Sequence, residues 1–388
     1  MTMFSSRIHW NLQPSRIAAA LSSHTGALLD LTQSNPTTAQ IEYPRGLLEA
    51  LTDVRALQYS PLPAGLLSAR EAVSRYYKGV VDPDRILLAA STSEAYSWLF
   101  KLLCDPGDEV LVPRPSYPLF EFLAHLEGVR TVQFPMHYDH GWFVDVEALR
   151  DAATDRTRAV IFVNPNNPTG SFLKKSDYEF LAAFCADRGL ALIVDEVFCD
   201  FAFGPDNDRV ATVADKQDVL TFVLSGLSKI SGLPQMKLGW IVVNGPAPQQ
   251  TEARRRLELI ADTFLSVGGP VQYALPKFLE AGVGIQKEIS TRTAANLEFF
   301  RNATTSSFVR LLEPEAGWSA IVQVPRILSE EEWILTLLRT CGVLVQPGFF
   351  YDFGSEAFLI VSLLTEPGVF REGVRRTILA CEGQTNEC

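Results

Sequence analysis

The sequence has no run of about 18 consecutive apolar residues, so nothing in it is expected to cross a bilayer as a helix. The stretch from Met1 to Gln13 has no apolar core followed by a cleavage site, and no secretory signal is expected there. Cysteine is scarce. There are six in 388 residues, at 104, 185, 199, 341, 381 and 388, and none forms a CxxC pair. That is too sparse for a disulfide framework, so the six are expected to be reduced thiols in a reducing compartment, the cytoplasm. Positive charge is also short. Lys and Arg number 34 against 45 Asp and Glu, a formal net charge of −11. Phosphate backbones and anionic lipids need a basic face, so neither nucleic acid nor membrane is an expected partner. A small substrate stays open, because a local pocket can oppose the global sign. Arg254, Arg255 and Arg256 read as a solvated helix face. His137 and His140 stand three apart with no third ligand nearby, and no metal site is expected. There is no internal repeat and no low-complexity tract.

Apolar residues make up 47% and charged residues 20%, which is enough to build a core. The length exceeds one ordinary core and suits a large domain with a smaller one. From residue 65 the pattern alternates. Helix-like spacing over Gly65 to Lys78 is followed by a strand at Ile86 to Ala90 and a helix at Ser93 to Leu103. Strands at 109–112, 131–134, 159–163, 191–194, 220–224 and 240–243 are expected. Helices at 117–126, 146–152 and 175–188 are expected among them. The strands are β-branched with charge only at their ends, which indicates an α/β fold: a mostly parallel sheet sandwiched by helices. A long helix over Pro270 to Arg301 leads to a smaller α+β part. The expected division is 1–45 joining the small domain, 46–275 as the large domain and 276–388 as the small one.

In such sheets ligands bind beyond the carboxyl ends of the strands. Polar clusters follow the strands directly. They are Ser91-Thr92-Ser93, Asn164-Pro165-Asn166-Asn167-Pro168-Thr169-Gly170, Asp195-Glu196-Val197-Phe198, and Ser225-Gly226-Leu227-Ser228-Lys229. Singly each has an ordinary reading: a turn, a helix cap, a solvated lysine. Together, in this order and each at a strand end, they point to one site.

With Tyr59 before Pro-Ala-Gly-Leu-Leu-Ser-Ala-Arg, Asp105-Pro106-Gly107-Asp108-Glu109-Val110 and Pro115-Ser116-Tyr117-Pro118, these motifs cover nearly the whole chain. They resemble the class I/II aminotransferases, fold-type-I pyridoxal-phosphate enzymes like aspartate aminotransferase. The resemblance implies pyridoxal 5'-phosphate held on Lys229 as a Schiff base, with Lys229 then moving the substrate proton. Asp195 would pair with the ring nitrogen, Asn167 with the ring 3-oxygen, and Tyr117 would stack on the ring. Ser91, Thr92 and Ser93 at a helix start would hold the phosphate, helped by Ser228 and Lys237. Tyr59 would reach the phosphate of the other subunit in a homodimer with both sites at the interface.

Four positions depart from the family's pattern. Lys237 stands for an arginine, and Gly226 for a serine, with Ser225 one place earlier. Phe198 stands for a tyrosine whose hydroxyl donates to the ring 3-oxygen; without it the Schiff base is expected to keep its proton to higher pH. Ile360 occupies the slot of the arginine that grips the substrate carboxylate, with Arg45 a candidate replacement. The expected reaction is ping-pong transfer of an amino group from an amino acid or related amine to a keto acceptor. The alternative on the same scaffold is a lyase, decarboxylase or condensing reaction on a substrate that is not an ordinary α-amino acid.

Overall fold

The computed structural model describes residues 3–8 and 10–384. Eight strands form the main sheet: β1 (Ile86–Ala89), β2 (Glu109–Arg114), β3 (Arg130–Tyr138), β4 (Trp142–Val144), β5 (Thr157–Val163), β6 (Ala191–Asp195), β7 (Thr221–Gly226) and β8 (Gly239–Asn244). Their spatial order is β1-β8-β7-β6-β5-β2-β3-β4. The run from β7 through β6, β5 and β2 to β3 is parallel. Two strands break the pattern. β8 runs antiparallel to both its neighbours, and the short β4 returns antiparallel along β3. Neither direction is encoded in a short apolar run, because periodicity reports burial and not strand polarity.

Both faces of the sheet are covered, as continuous apolar strands require. Leu192, Val194 and Val223 pack into one core, while Ala191, Ile193, Phe222 and Leu224 pack into the opposite one. That alternation is the period-two geometry of a strand. Helices Leu67–Tyr76 and Lys175–Arg188 lie over the first face, and Thr92–Leu103 and Ala247–Phe264 over the second. The helix expected from Tyr117 begins only at Phe120. Pro118 has no N–H to contribute, and the residue before a proline is steered away from helical dihedrals.

A 36-residue helix, Gly269–Thr304, then leaves the sheet. Its Leu275 and Phe278 belong to the first core, while Leu297 and Phe300 belong to another core built by the C-terminal part. One continuous helix thus serves both, and the expected boundary at 275/276 falls inside it. The C-terminal part holds an antiparallel sheet of β9 (Arg310–Leu312), β10 (Ser319–Gln323), β11 (Gln346–Pro347) and β12 (Phe358–Ser362), in the order β9-β10-β12-β11. The N-terminal segment joins it: Leu29–Asp30 pairs in parallel with Val343–Leu344, and Leu31 is fully buried there.

Cys104, Cys185, Cys199 and Cys381 are free thiols. Cys341 is disulfide-bonded, contrary to the expectation of an entirely reduced set. Pairing follows where the fold brings chain segments, which cysteine spacing does not encode. Cys388 lies outside the described residues. Among the described residues no helix is long and apolar enough to cross a membrane.

Candidate active site

A cavity of about 330 Å³ opens where β5, β6 and β7 end and β8 begins. It is roofed by the N-terminal segment and the small sheet.

The turn after β5 divides its asparagines by role. Asn164 accepts from Leu173 N–H at 2.9 Å and donates to the Val210 carbonyl at 3.1 Å. Asn166 accepts from the Ser116 hydroxyl at 2.7 Å and donates to the Pro115 carbonyl and Thr169 hydroxyl, both at 2.9 Å. These two amides are used up holding the turn. Gly170 closes it at φ +69, where an added Cβ would sit 2.4 Å from the Ala316 carbonyl oxygen. Asn167 alone faces the cavity. The Ser319 hydroxyl donates to its Oδ1 at 3.2 Å, which leaves the amide N–H groups free to donate.

Asp195 ends β6 and is buried. Its carboxylate accepts from Tyr96 Oη and Val197 N–H, each at 3.2 Å. Burial pushes this carboxyl up to about 6, against the pull of those donors and of Lys229. Its neighbour Glu196 has a structural task instead. It accepts from the Thr212 hydroxyl at 2.6 Å and Val213 N–H at 2.7 Å, and burial raises it to about 8.

Lys229 lies in the short helix Leu227–Ile230 directly after β7. Its Nζ stands 4.8 Å from the Trp318 ring centre and 5.4 Å from that of Phe198. Burial pushes the amine down to about 8, and the Asp195 charge offsets part of that. Phe198, Phe201 and Trp318 pack edge-on against one another, with centroids 5.0 to 6.5 Å apart.

At the far end of the cavity the helix Thr92–Leu103 begins. Ser91 caps it, its hydroxyl accepting from Glu94 N–H at 3.1 Å. The first-turn N–H groups of Thr92 and Ser93 have no intrahelical acceptor. Gly239 faces them. A Cβ there would lie 3.0 Å from the Ser225 carbonyl oxygen and 3.3 Å from Thr92 N, so the space is a cradle that any side chain would fill.

Of the residues expected from sequence, Lys229, Asp195, Asn167, Tyr117, Ser91, Thr92, Ser228 and Phe198 line this one cavity. Ser93 does not line it, although its N–H belongs to the same helix end. Lys237 is exposed and outside the lining, as is Arg45. Tyr59 is 77% exposed and borders a different, surface cavity. Ile360 does line the site, next but one to Ser362 on β12. Tyr96, Ser319 and Gln346 were not legible in sequence: Tyr96 lies just past the Ser91-Thr92-Ser93 cluster but reads as a buried helix residue, and Ser319 and Gln346 sit in ordinary strand contexts.

The family profile described as aminotransferase class I and II matches residues 26–371. The chain belongs to that family. Glutamate-pyruvate aminotransferase AlaA of Haemophilus influenzae is 27% identical over 362 residues, 89% of each chain. The S-alkyl-thiohydroximate lyase SUR1 of Arabidopsis thaliana is 29% identical over 246 residues, which is 62% of this chain and 53% of the lyase. An aminotransferase structure from Escherichia coli superposes with a TM-score of 0.85 at 22% identity, covering 99% of both chains, a likeness of fold. The protein is an aminotransferase with pyridoxal 5'-phosphate as its cofactor. The site suits that group. It has a cradle without side chains at a helix start, a buried carboxylate, a free amide donor and a lysine of lowered basicity around one cavity.

Proposed function

We propose that this aminotransferase holds its cofactor on Lys229 and uses the same nitrogen to take and return the proton of the amine-bearing carbon. The observation that carries the reading is that, among the described residues, Lys229 and Asp195 are the only charged side chains lining the cavity. When bound, pyridoxal phosphate supplies an electron sink for charge developing at that carbon. The Asp195 carboxylate holds the proton on the cofactor's ring nitrogen. Asn167 donates its amide to the ring 3-oxygen, and Tyr117 covers a ring face. The helix start at Ser91, Thr92 and Ser93, with Ser228, receives the phosphate. An amino group passes from an amino acid or related amine to a keto acceptor in two half-reactions, so the one cavity accepts both compounds in turn.

The same reading makes the enzyme a homodimer in which Tyr59 serves the partner's phosphate. Supporting it, Tyr59 sits in an exposed apolar stretch with Val54, Leu57 and Leu62. For location we keep the cytoplasm on the four free thiols, against which the disulfide at Cys341 counts.

The test is the absorbance between roughly 330 and 430 nm of cofactor-loaded wild type beside Lys229→Ala, with amine donors added and no acceptor. The wild type is expected to show a visible lysine-bound band that bleaches and stays bleached until a keto acceptor is added. The variant should show no such band. Absence of the band in loaded wild type would overturn the reading. A lyase, the second reading, is favoured by the kinship to the plant lyase. It would release product while the original band returns without acceptor.

A further inference from the structure

The walls of the cavity beside Lys229 differ in chemistry. The cradle and Asp195 form one side. Thr32, Ser34, Trp318, Gln346, Ile360 and Ser362 form the other, brought in by the N-terminal segment and the small sheet. On this second side there is no cation among the described residues. Lys229 is the only basic residue they contribute to the lining, with neither arginine nor histidine beside it. Arg292 is taken up by the carbonyls of Ala39 and Gln40 and by Glu288.

What this side offers instead is neutral donors. Gln346 accepts the Tyr351 hydroxyl on its Oε1, which leaves its amide N–H groups free. The Trp318 indole N–H is shielded from the cavity, so Trp318 gives this side its ring, 4.8 Å from Lys229 Nζ. The Ser362 hydroxyl is already given to the Gln33 carbonyl. Between them stands Ile360, 2% exposed and paired in register with Gln346 on one side and Ile321 on the other. Neutral N–H groups can satisfy a carbonyl or hydroxyl oxygen. They do not neutralise a carboxylate withdrawn from water against an isoleucine, which is costly without a cation.

We propose that the natural donor is a primary amine with no carboxylate on its amine-bearing carbon, and that the acceptor is an aldehyde or ketone of the same uncharged kind. This rests on the aminotransferase reading of the cavity and names its substrate class. Because one cavity serves both half-reactions, the exclusion applies to both compounds. The transfer balances without another reagent. The donor's amine-bearing carbon loses its hydrogen as a proton to Lys229. Its C–N bond breaks, an oxygen from water takes the nitrogen's place, and the donor leaves as a carbonyl compound. The acceptor's carbonyl carbon gains the nitrogen and a proton, becoming a primary amine, and its oxygen departs as the water that balances the first. The donor is oxidised and the acceptor reduced by one electron pair.

The experiment measures the bleaching rate of the loaded enzyme with matched probes: L-phenylalanine against L-phenylalaninamide and 2-phenylethylamine, and L-alanine against L-alaninamide. The carboxylate-free members are expected to bleach at least about tenfold faster at equal concentration. Ile360→Arg should raise the rate with the two amino acids by roughly a hundredfold and reverse the order. Should that buried substitution fail to fold, the wild-type ratio decides alone. Amino acids bleaching as fast as or faster than their amides would overturn the substrate assignment and leave the aminotransferase reading standing. A loaded enzyme that no member of either series bleaches would overturn that reading, and this proposal with it.

Discussion

Lys229 keeps an amine where a positive charge is poorly solvated, and its basicity falls to about 8. The unfolded chain would hold that proton up to about 10.5. Between those two values the unfolded state binds more protons, so the lysine's contribution to apoprotein stability rises with pH across that window. The same shift exposes a neutral nucleophile early. The rate at which the visible band forms on adding pyridoxal phosphate to apoprotein should climb with pH and level off near pH 8. A rate still climbing through pH 10 would mean an ordinary lysine. Titrating the band once formed tests Phe198 in the same cuvette: Phe198→Tyr should lower the pH at which the band is lost. Lys229, Asp195 and Asn167 were legible because each follows a strand inside a polar cluster. Tyr96 and Ser319, which orient Asp195 and Asn167, were not. They stand 99 and 152 residues away from the groups they touch.

The helix start at Ser91 and the strand start at Gly239 make the cradle together, although their sequences are far apart. Backbone approaches backbone there, so the glycine is needed for space and not for a left-handed turn. Gly239→Ala should cost about 1–3 kcal/mol of apoprotein stability and weaken cofactor binding at least about tenfold, read by thermal unfolding and cofactor titration. Gly284, in the long helix, is the contrast. An added Cβ there meets nothing within 4 Å. Gly284→Ala should stabilise by about 0.5–1 kcal/mol and leave cofactor binding unchanged. Equal effects at the two positions would remove the cradle argument. The strand-end glycines are visible in sequence, but which of them meets a helix start is not.

The whole molecule closes the site with parts from three regions of the chain: Thr32 and Ser34, the main sheet, and Trp318 to Ser362. The exposed Val54, Leu57, Tyr59 and Leu62 predict a further contributor, a second copy. Sedimentation is expected to give twice 42.9 kDa. Tyr59→Phe should then weaken cofactor binding although Tyr59 lies outside its own chain's cavity. A monomer at micromolar concentration with full cofactor occupancy would exclude the shared site. By itself the sequence determined the alternation of strands and helices, and the polar groups that end the strands, because both are local: side-chain period and turn chemistry act over a few residues. Only the tertiary structure decided the reversed direction of β8, the partners of Asp195 and Asn167, and the placing of Gln346 and Trp318 beside Ile360 in one cavity with Lys229. Those depend on which distant surfaces pack together, and no local pattern carries that information.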